Sequence, residues 1–395
     1  MKIAYVTTYD PNEISCWSGL GYFIWKSLAQ TGIEVELIGP LSLPPGIKKI
    51  LEIKSRFHQK LIRGRYLAEH DVMAAKAYAQ QAWRKLEGLQ RIEAIVSPGT
   101  IPVAFLPGTI PVVTYSDTTH RLLFDSYPAY KELGAATRRD GDRIEQAAMR
   151  RASASVFASE WAAAGAVRDY RADPAKVRVV PFGANFERQP FREDVVRAIE
   201  SRGFDEIRLL FVGIEWERKG GPVALEVVRA LVKQGVPAQL TVVGCEPPIP
   251  AGDMGYVSVR GFIRKTPGGQ KEISDEFAKS HFLILPSEAE CYGLVYCEAS
   301  ALGVPSIARN VGGVGTIIKN GINGYLFDLQ ATAKDMADRI ASLVREPANY
   351  RRLALSSVAE YEARLNWTVA AKSLEKVLKS VITNAGEVNL RQAVE

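Results

Sequence analysis

The chain has 395 residues, of which 47% are hydrophobic and 24% are charged, a composition typical of a globular protein with more than one core. At this length two domains are the ordinary expectation. The formal net charge is +6, and residues 46–65 alone hold seven Lys and Arg against one Glu, but this segment lacks the aromatic interleaving and recognition motifs that a nucleic-acid partner requires.

The cysteines and the first residues of the chain indicate in which cellular compartment the protein is expected. The four cysteines, Cys16, Cys245, Cys291 and Cys297, form no C-x-x-C pair, which excludes a disulfide scaffold and favours a reducing cytoplasm. The four histidines are too scattered to form a local ligand pair, so no metal is expected. The start MKIAYVTTYD lacks the pattern of a signal peptide, and no run of about 18 apolar residues occurs. We therefore expect neither standard secretion nor a membrane-spanning segment.

Strands and helices alternate through the first half of the chain. Residues 2–9 read as a buried strand, GLGYFIWKSLAQTG as a helix that stops at Gly32, and residues 34–38 as the next strand. Further along, the pattern predicts helices near 71–90 and 135–151 and strands at 93–97, 111–116, 154–159 and 177–183. This alternation indicates a mostly parallel, doubly wound α/β sheet.

A second α/β unit begins near residue 205, after a polar and charge-rich segment. The pattern predicts a helix in VALEVVRALVKQG and strands at 207–214, 239–244, 256–262, 281–287 and 305–309. Residues 334–382 have helical spacing almost throughout, whereas the final NAGEVNLRQAVE lacks an apolar stripe and is expected to fray. Two similar domains in tandem are expected to place a cleft between them.

The segment after the strand HFLILP is the richest candidate site. Ligands of open parallel sheets bind beyond the carboxyl ends of the strands. Here Glu290 and Gly293 lie in a loop, and a helix that starts near Leu294 carries Glu298. The free N–H groups of a helix start suit a phosphate, a carboxylate one turn inside can accept both hydroxyls of a ribose, and Gly293 would let a ligand approach the backbone. From spacing alone, the two acids could equally be residues that only complement the helix dipole.

The stretch EAECYGLVYCEASALGVP resembles the E-x-F-G-x4-E-A-x-A-x-G-x-P pattern of the large retaining glycosyltransferase family 4, with Tyr292 in place of the usual Phe. VVPFGAN, VGIEWERKGG and NVGGVGTIIKNGINGYLF also resemble segments of that family, so the likeness spans most of residues 155–330. It implies the α/β fold called GT-B, two doubly wound Rossmann-like domains facing across a cleft. The implied division is 1–185 for an N-terminal acceptor-binding domain, 186–365 for a C-terminal nucleotide-sugar-binding domain, and 366–395 for a C-terminal helix crossing back to the first domain, plus a tail.

The resemblance also implies roles for single residues. Glu298 would hold the nucleotide ribose, and Glu290, with the backbone around Tyr292, Gly293 and Leu294, would hold the transferred sugar. Enzymes of this kind require no metal.

Another cation must then neutralise the departing nucleoside diphosphate, and Arg218 and Lys219 are the candidates. An exposed basic turn without such a role is the alternative. The Arg that the family places directly after the strand glycine corresponds to Ile214, whereas Lys219 and Gly220 match the family pattern.

The N-terminal half departs further from the family. Where the family commonly has a His after the strand that here ends VVTYSD, the candidates are Asp117 and His120, and His120 could equally be a loop histidine without a role. The loop CWSGLGYF resembles the glycine-rich loop that lies over the diphosphate and acceptor, which makes Gly19 and Gly21 candidate donor-binding residues. Ile24 occupies the third glycine position of G-x-G-x-x-G, which excludes a dehydrogenase.

The basic segment 46–65 mixes its cations with apolar residues, as does a helix that lies on anionic lipid. The alternative is a solvated helix whose apolar side packs on the N-terminal domain. The first reading implies peripheral membrane contact on the cytoplasmic face, and the second implies none.

Together these features predict a retaining, metal-independent glycosyltransferase of the hexosyltransferase type, without a cofactor. Its donor would be a nucleotide diphosphate sugar, UDP-sugar before GDP-sugar, and its acceptor a hydroxyl of a glycan, a lipid-linked glycoside or a small-molecule glycoside. Because the N-terminal domain offers no evident carboxylate nucleophile, front-side displacement is preferred to a covalent glycosyl-enzyme. The alternatives are a GT-B-fold nucleotide-sugar epimerase and a catalytically inactive sugar-nucleotide or glycan-binding protein.

Overall fold

The protein is divided into two compact units. The computed structural model describes residues 1–58, 60, 65–264 and 267–394. The first unit comprises Met1–Pro181 and Trp367–Glu395, and the second comprises Phe182–Asn366. The chain therefore leaves the first unit, forms the second, and returns to the first with its last helix. These divisions lie close to the expected ones after residues 185 and 365.

The first unit has one parallel sheet, which has six strands within the described residues. The strands are β1 (Lys2–Val6), β2 (Glu34–Ile38), β3 (Ala94–Ser97), β4 (Val112–Ser116), β5 (Ala154–Phe157) and β6 (Val177–Val179). The helices are α1 (Leu20–Gln30), α2 (Pro45–Phe57), α3 (Val72–Glu87), α4 (His120–Ser126), α5 (Pro128–Lys131), α6 (Ala135–Arg151) and α7 (Glu160–Tyr170).

The second unit repeats this architecture, again with six parallel strands among the described residues. The strands are β7 (Ile207–Val212), β8 (Ala238–Val243), β9 (Val257–Gly261), β10 (Phe282–Leu285), β11 (Ser306–Arg309) and β12 (Gly324–Phe327). The helices are α8 (Arg192–Ser201), α9 (Gly221–Lys233), α10 (Pro267–Lys279), α11 (Leu294–Ala301), α12 (Val314–Ile317), α13 (Ala333–Val344) and α14 (Pro347–Arg364). The last helix, α15 (Trp367–Val394), belongs to the first unit.

Both sheets reverse their strand order at one point. The first has the order β2-β1-β3-β4-β5-β6, so the reversal lies between β1 and β3. The second has the order β12-β11-β10-β7-β8-β9, so the reversal lies between β7 and β10. Ligands of open α/β sheets bind beyond the carboxyl ends of the strands at such a reversal. The fold thus defines one candidate binding edge in each unit.

The cores follow from strand composition. Strands β3, β4 and β10 are buried at every residue, as expected for parallel strands covered by helices on both faces. The helices that cover them begin at polar caps where the sequence supplies one. The Asp71 carboxylate accepts the N–H of Met73 at the start of α3, and Thr332 forms a capping box with Asp335 at the start of α13.

The sequence predictions were wrong or incomplete at three elements. The polar segment after residue 184 contains helix α8, which buries only Val195 and Ile199 and so has a weak apolar stripe. Strand β12 was missed because its four residues follow a glycine-rich turn. The end of the chain, expected to fray, continues α15 to Val394, consistent with its helix-favouring Glu, Leu, Arg, Gln and Ala residues.

Candidate active site

In the second unit, two loops meet at the strand-order reversal. One loop follows β7 and spans residues 213–220, and the other follows β10 and spans residues 286–293. The two strands are hydrogen-bonded neighbours, so the loops leave the sheet side by side. The N–H of Glu288 donates to the carbonyl oxygen of Arg218 at 2.9 Å, which joins the loops directly. The structure therefore brings Arg218, Lys219 and Glu290 together at the expected edge.

Glu290 forms ion pairs with two cationic side chains of the neighbouring loop. The Nζ of Lys219 lies 2.5 Å from its Oε2, and the Nη1 of Arg218 lies 3.8 Å from the same oxygen. All three side chains are at most 15% exposed, which shields the cluster from solvent screening. The Arg218 guanidinium also donates to the Ala289 carbonyl at 2.7 Å. The cluster thus holds the Glu290 carboxyl group against two cationic side chains.

Glu215 fixes Arg218 from the other side. Its two carboxylate oxygens accept the Nε and Nη2 of Arg218, each at 2.8 Å. This fork-to-fork pairing lowers the pKa of Glu215, chiefly through the hydrogen bonds to Arg218. Glu215 was not among the residues predicted from the sequence. Its spacing three residues before Arg218 was the signal available.

Glu298 lies on α11, which begins directly after the Glu290 loop. Gly293 is the N-cap of this helix and has a φ of 97°. Glu298 is the fifth residue of the helix and is half-buried. A Cβ on Gly293 would lie 2.6 Å from the ring of Tyr296, so packing within the helix accounts for this glycine in addition to the backbone conformation. The N–H groups at the start of α11, from Leu294 onward, adjoin the Glu290 loop.

The side chain of Tyr292 packs inside the second unit. The ring is 2% exposed, and the hydroxyl donates to the carbonyl oxygen of Phe182 at 2.9 Å. The two rings meet edge to face at 5.2 Å. The phenol of Tyr292 is therefore occupied inside the unit and is not available to a ligand. The hydroxyl that distinguishes Tyr from the family Phe serves to hold the residues before α8.

In the first unit, a cavity of about 480 Å³ lies at the strand-order reversal. Its walls come from the residues after β1, β3 and β4, including Asp117 and His120, and from α6. The strand expected to run to residue 9 ends at Val6, because residues 7–9 turn to form one wall. Among the described residues, its acidic lining consists of Glu69, Asp117 and Glu145, and no Lys or Arg lines it.

Two histidines share the wall of this cavity. His120 is 5% exposed and begins α4, and its ring lies 4.9 Å from that of His70. Within the described part of the chain, neither ring nitrogen of His120 has a hydrogen-bond partner. Burial, assisted by His70, lowers the pKa of His120 to about 4, so its imidazole is neutral near pH 7. A neutral imidazole can accept a proton or a hydrogen bond from a ligand hydroxyl.

Glu145 is the buried carboxyl group of the cavity. It is 5% exposed on α6 and accepts the hydroxyl of Thr100 at 2.8 Å. Burial raises the pKa of Glu145 to about 7, against the opposing effect of the Thr100 hydrogen bond. Neither Glu145 nor His70 was predicted from the sequence. Glu145 occupies the same face of α6 as the buried Gly141 and Met149, and an acid on an apolar helix face was the signal.

The glycine-rich loop of the first unit has an unusual backbone. Trp17, Ser18 and Gly19 have consecutive positive φ values of 46°, 55° and 90° before α1 begins. A Cβ on Gly21 would lie 2.3 Å from the Tyr9 hydroxyl oxygen, so this glycine is explained by packing against Tyr9 rather than by an open surface. Gly19 is buried. Their proposed contact with a donor stays a prediction.

Two further features concern metals and membranes. Among the described residues, no three His, Cys, Asp or Glu side chains group as metal ligands. In that part of the chain, no helix is long and apolar enough to cross a membrane.

Solved structures with this architecture define the fold. Sucrose-phosphate synthase from Thermosynechococcus elongatus superposes with a TM-score of 0.66 at 18% identity, covering 97% of this chain and 100% of that one. Anabaena HepE in complex with UDP superposes with a TM-score of 0.59 at 15% identity, covering 96% and 100% of the two chains. The protein has the two-unit α/β fold called GT-B, as the sequence resemblance implied.

The second unit carries the match to a known family. Residues 206–346 match the model of the family Glycosyl transferases group 1. The "D-inositol 3-phosphate glycosyltransferase" of Rhodococcus opacus is 30% identical over 231 residues, and that of Rhodococcus erythropolis is 31% identical over 230 residues. These alignments cover 55% and 54% of this chain and 51% of each relative. The chain thus spans about half the length of the curated relatives it matches.

Proposed function

We propose that this protein is a retaining glycosyltransferase that moves a sugar from a nucleotide diphosphate sugar to an acceptor hydroxyl. The observation that carries the proposal is the Glu290, Lys219 and Arg218 cluster. It lies at the strand-order reversal, inside the residues that match the group 1 family. UDP-sugar is favoured as donor over GDP-sugar, a choice supported by the complex of Anabaena HepE with UDP.

We assign the donor contacts by chemistry. Glu298, one turn inside α11, would accept the two ribose hydroxyls, and the N–H groups at the helix start would meet a phosphate. Glu290 and the backbone of residues 292–294 would orient the sugar. Lys219 and Arg218 would stabilise the charge that develops on the departing nucleoside diphosphate, so that no metal is needed. The position of both cations beside Glu290, on the loops at the strand-order reversal, supports this role.

The acceptor would bind in the cavity of the first unit, with Asp117 and His120 close to its hydroxyl groups. We infer that this acceptor is an uncharged polyol or glycoside. Three carboxyl groups, two histidines and Tyr9 supply the ionisable lining among the described residues, whereas a phosphate would meet no Lys or Arg there. On this point the chain would differ from relatives whose name specifies inositol 3-phosphate.

The decisive measurement is donor affinity in matched variants. A thermal-shift panel of UDP-, GDP- and ADP-sugars first identifies the donor, which stabilises the folded protein by mass action. Glu298→Ala and Lys219→Ala should then each weaken its binding by about tenfold or more, because each removes a charge-assisted hydrogen bond. Glu288→Ala, an exposed acid of the same loop, is the matched control and should leave affinity unchanged. Unchanged affinity in both test variants would remove the proposed site.

The same protein and donor, incubated with paired neutral and phosphorylated acceptors, tests transfer and acceptor class. Products from neutral acceptors with the donor's anomeric configuration, read by NMR, are the expected result. Products formed only from phosphorylated acceptors would contradict the proposal of an uncharged acceptor and would leave the proposed donor site unaffected. A changed sugar nucleotide formed without any acceptor would identify an epimerase, and binding without turnover would identify an inactive binding protein.

A further inference from the structure

Helix α2 has an inward face and an outward face that are both apolar. On the inward face, Leu51 is 1% exposed and packs with Tyr66 and Ala74, and Ile47 joins the same cluster. Lys54 on the same side donates to the buried carboxylate of Asp71 at 2.8 Å. This face fixes the helix on the first unit, as the packing alternative from the sequence expected.

The outward face carries a second apolar stripe. Ile50, Ile53 and Phe57 are 45%, 58% and 52% exposed, and their spacing of three and four residues places them in one row along the helix. Isolated exposed apolar residues are ordinary on protein surfaces, but three large ones in a row on a single helix are not. The packing that secures the inward face therefore leaves this row unexplained.

Cations flank the apolar row. At 100° per residue, Lys49 and Arg56 project from the strip of helix surface beside Ile53 and Phe57, and both are exposed. Lys48 and the Asp71-paired Lys54 are the other two cations of the helix, and Glu52 is its one acid. Lys60, also exposed, lies beyond the end of α2. The predicted segment continues through residues 59 and 61–64, which lie outside the described residues.

We propose that the outward face of α2 is a docking surface for an anionic lipid bilayer. Ile50, Ile53 and Phe57 enter the headgroup and acyl boundary, while the flanking cations contact lipid phosphates. Charge complementarity favours lipid as the occupant. An anionic membrane surface has negatively charged headgroups above an apolar acyl region, and this helix presents cations beside an apolar row. The inward anchoring of Leu51 and Lys54 presents this face as a fixed element, so docking requires no unfolding. The proposal does not depend on the glycosyltransferase assignment.

Vesicle flotation with the full chain tests the proposal. The probes are vesicles of phosphatidylcholine alone and of phosphatidylcholine mixed with phosphatidylglycerol. We expect binding to the mixed vesicles, little binding to phosphatidylcholine alone, and weakening as salt rises. Ile53→Ser with Phe57→Ser should reduce partitioning by at least about tenfold, because two large side chains no longer insert. Lys49→Gln with Arg56→Gln should reduce it by about twentyfold.

Matched controls separate this face from general surface effects. Phe262→Ser removes a phenylalanine that is 64% exposed in the other unit, and Lys372→Gln with Lys376→Gln removes two cations of α15. Both controls should bind vesicles as the wild type does. Absent binding to anionic vesicles, or binding that survives both α2 variants, overturns the proposal. Self-association that the Ile53 and Phe57 changes abolish, without vesicle binding, would instead assign the face to a second copy of the chain.

Discussion

At the scale of single residues, the first-unit cavity keeps its buried ionisable groups close to neutral. Burial raises the pKa of Glu145 to about 7 and lowers that of His120 to about 4. A protonated carboxyl group and a neutral imidazole can both donate or accept hydrogen bonds, which suits a ligand rich in hydroxyl groups. In the second unit the ionisable side chains instead meet one another directly, with Lys219 and Arg218 both facing Glu290.

Glu145→Gln should change the pH dependence of stability. The unfolded chain releases this proton near pH 4.5 and the folded chain near 7. The raised folded pKa means that the free energy of unfolding falls as pH rises through this window, by up to about 3 kcal/mol. Gln removes that fall, so the variant should match the wild type at the acid end and exceed its stability at the upper end in urea unfolding. Glu132→Gln, an exposed acid, is the control. Identical pH profiles for wild type and Glu145→Gln would refute buried ionisation at this site.

At the scale of elements, the candidate donor edge is held by a third loop. Gly312, in the loop after β11, has a φ of 53°, and a Cβ there would lie 1.7 Å from the carbonyl oxygen of Glu290. The N–H of Gly313 donates to the carbonyl of Cys291 at 3.1 Å. The segment NVGGVG therefore supports the backbone that presents Glu290, a positioning role that its sequence did not reveal.

Gly312→Ala should displace the Glu290 loop. We expect a loss of about 3 kcal/mol of stability, combining left-handed backbone strain with overpacking, and weaker donor binding as Glu290 moves. Gly235→Ala is the matched control, because Gly235 has a φ of 77° with nothing within 4 Å of an added Cβ. That control should show backbone strain alone, about 1 kcal/mol, with donor affinity intact. Equal costs for the two variants, measured by urea unfolding, would contradict the close contact.

At the scale of the whole molecule, the first unit is assembled from both ends of the chain. Helix α15 packs on α1, where the rings of Trp367 and Phe23 stack at 6.3 Å and 11°. Leu374 and Leu378 on α15 are almost fully buried. The second unit is therefore an insertion between two segments that must find each other before the first core is complete.

Leu378→Ala should destabilise the first unit selectively. Truncating this side chain, which is 0% exposed, should cost about 2–5 kcal/mol by leaving a cavity. Hydrogen exchange should then accelerate in β1–β6 while β7–β12 keep their protection. Leu355→Ala, at a leucine 39% exposed on α14, should change neither sheet appreciably. Equal loss of protection in both sheets of the Leu378 variant would show that the units do not unfold separately.

The sequence by itself determined the fold and the candidate edges. Its apolar pattern predicted every described strand except β12, chiefly because burial on both faces of a parallel sheet imposes continuous hydrophobicity. The spacing of Glu290, Gly293 and Glu298 after β10 predicted a candidate site at a strand end. These features depend on residues that are close together in the sequence, so the sequence pattern alone can predict them.

Only the tertiary structure decided which distant groups meet and which are buried. It paired Lys219 with Glu290, 71 positions apart, explained Gly293 and Gly21 by neighbouring aromatic rings, and brought Glu145 to the cavity wall. It also left one apolar row of α2 exposed while burying the other. Contact, exposure and pKa depend on neighbours contributed by remote segments, and no spacing along the chain records them.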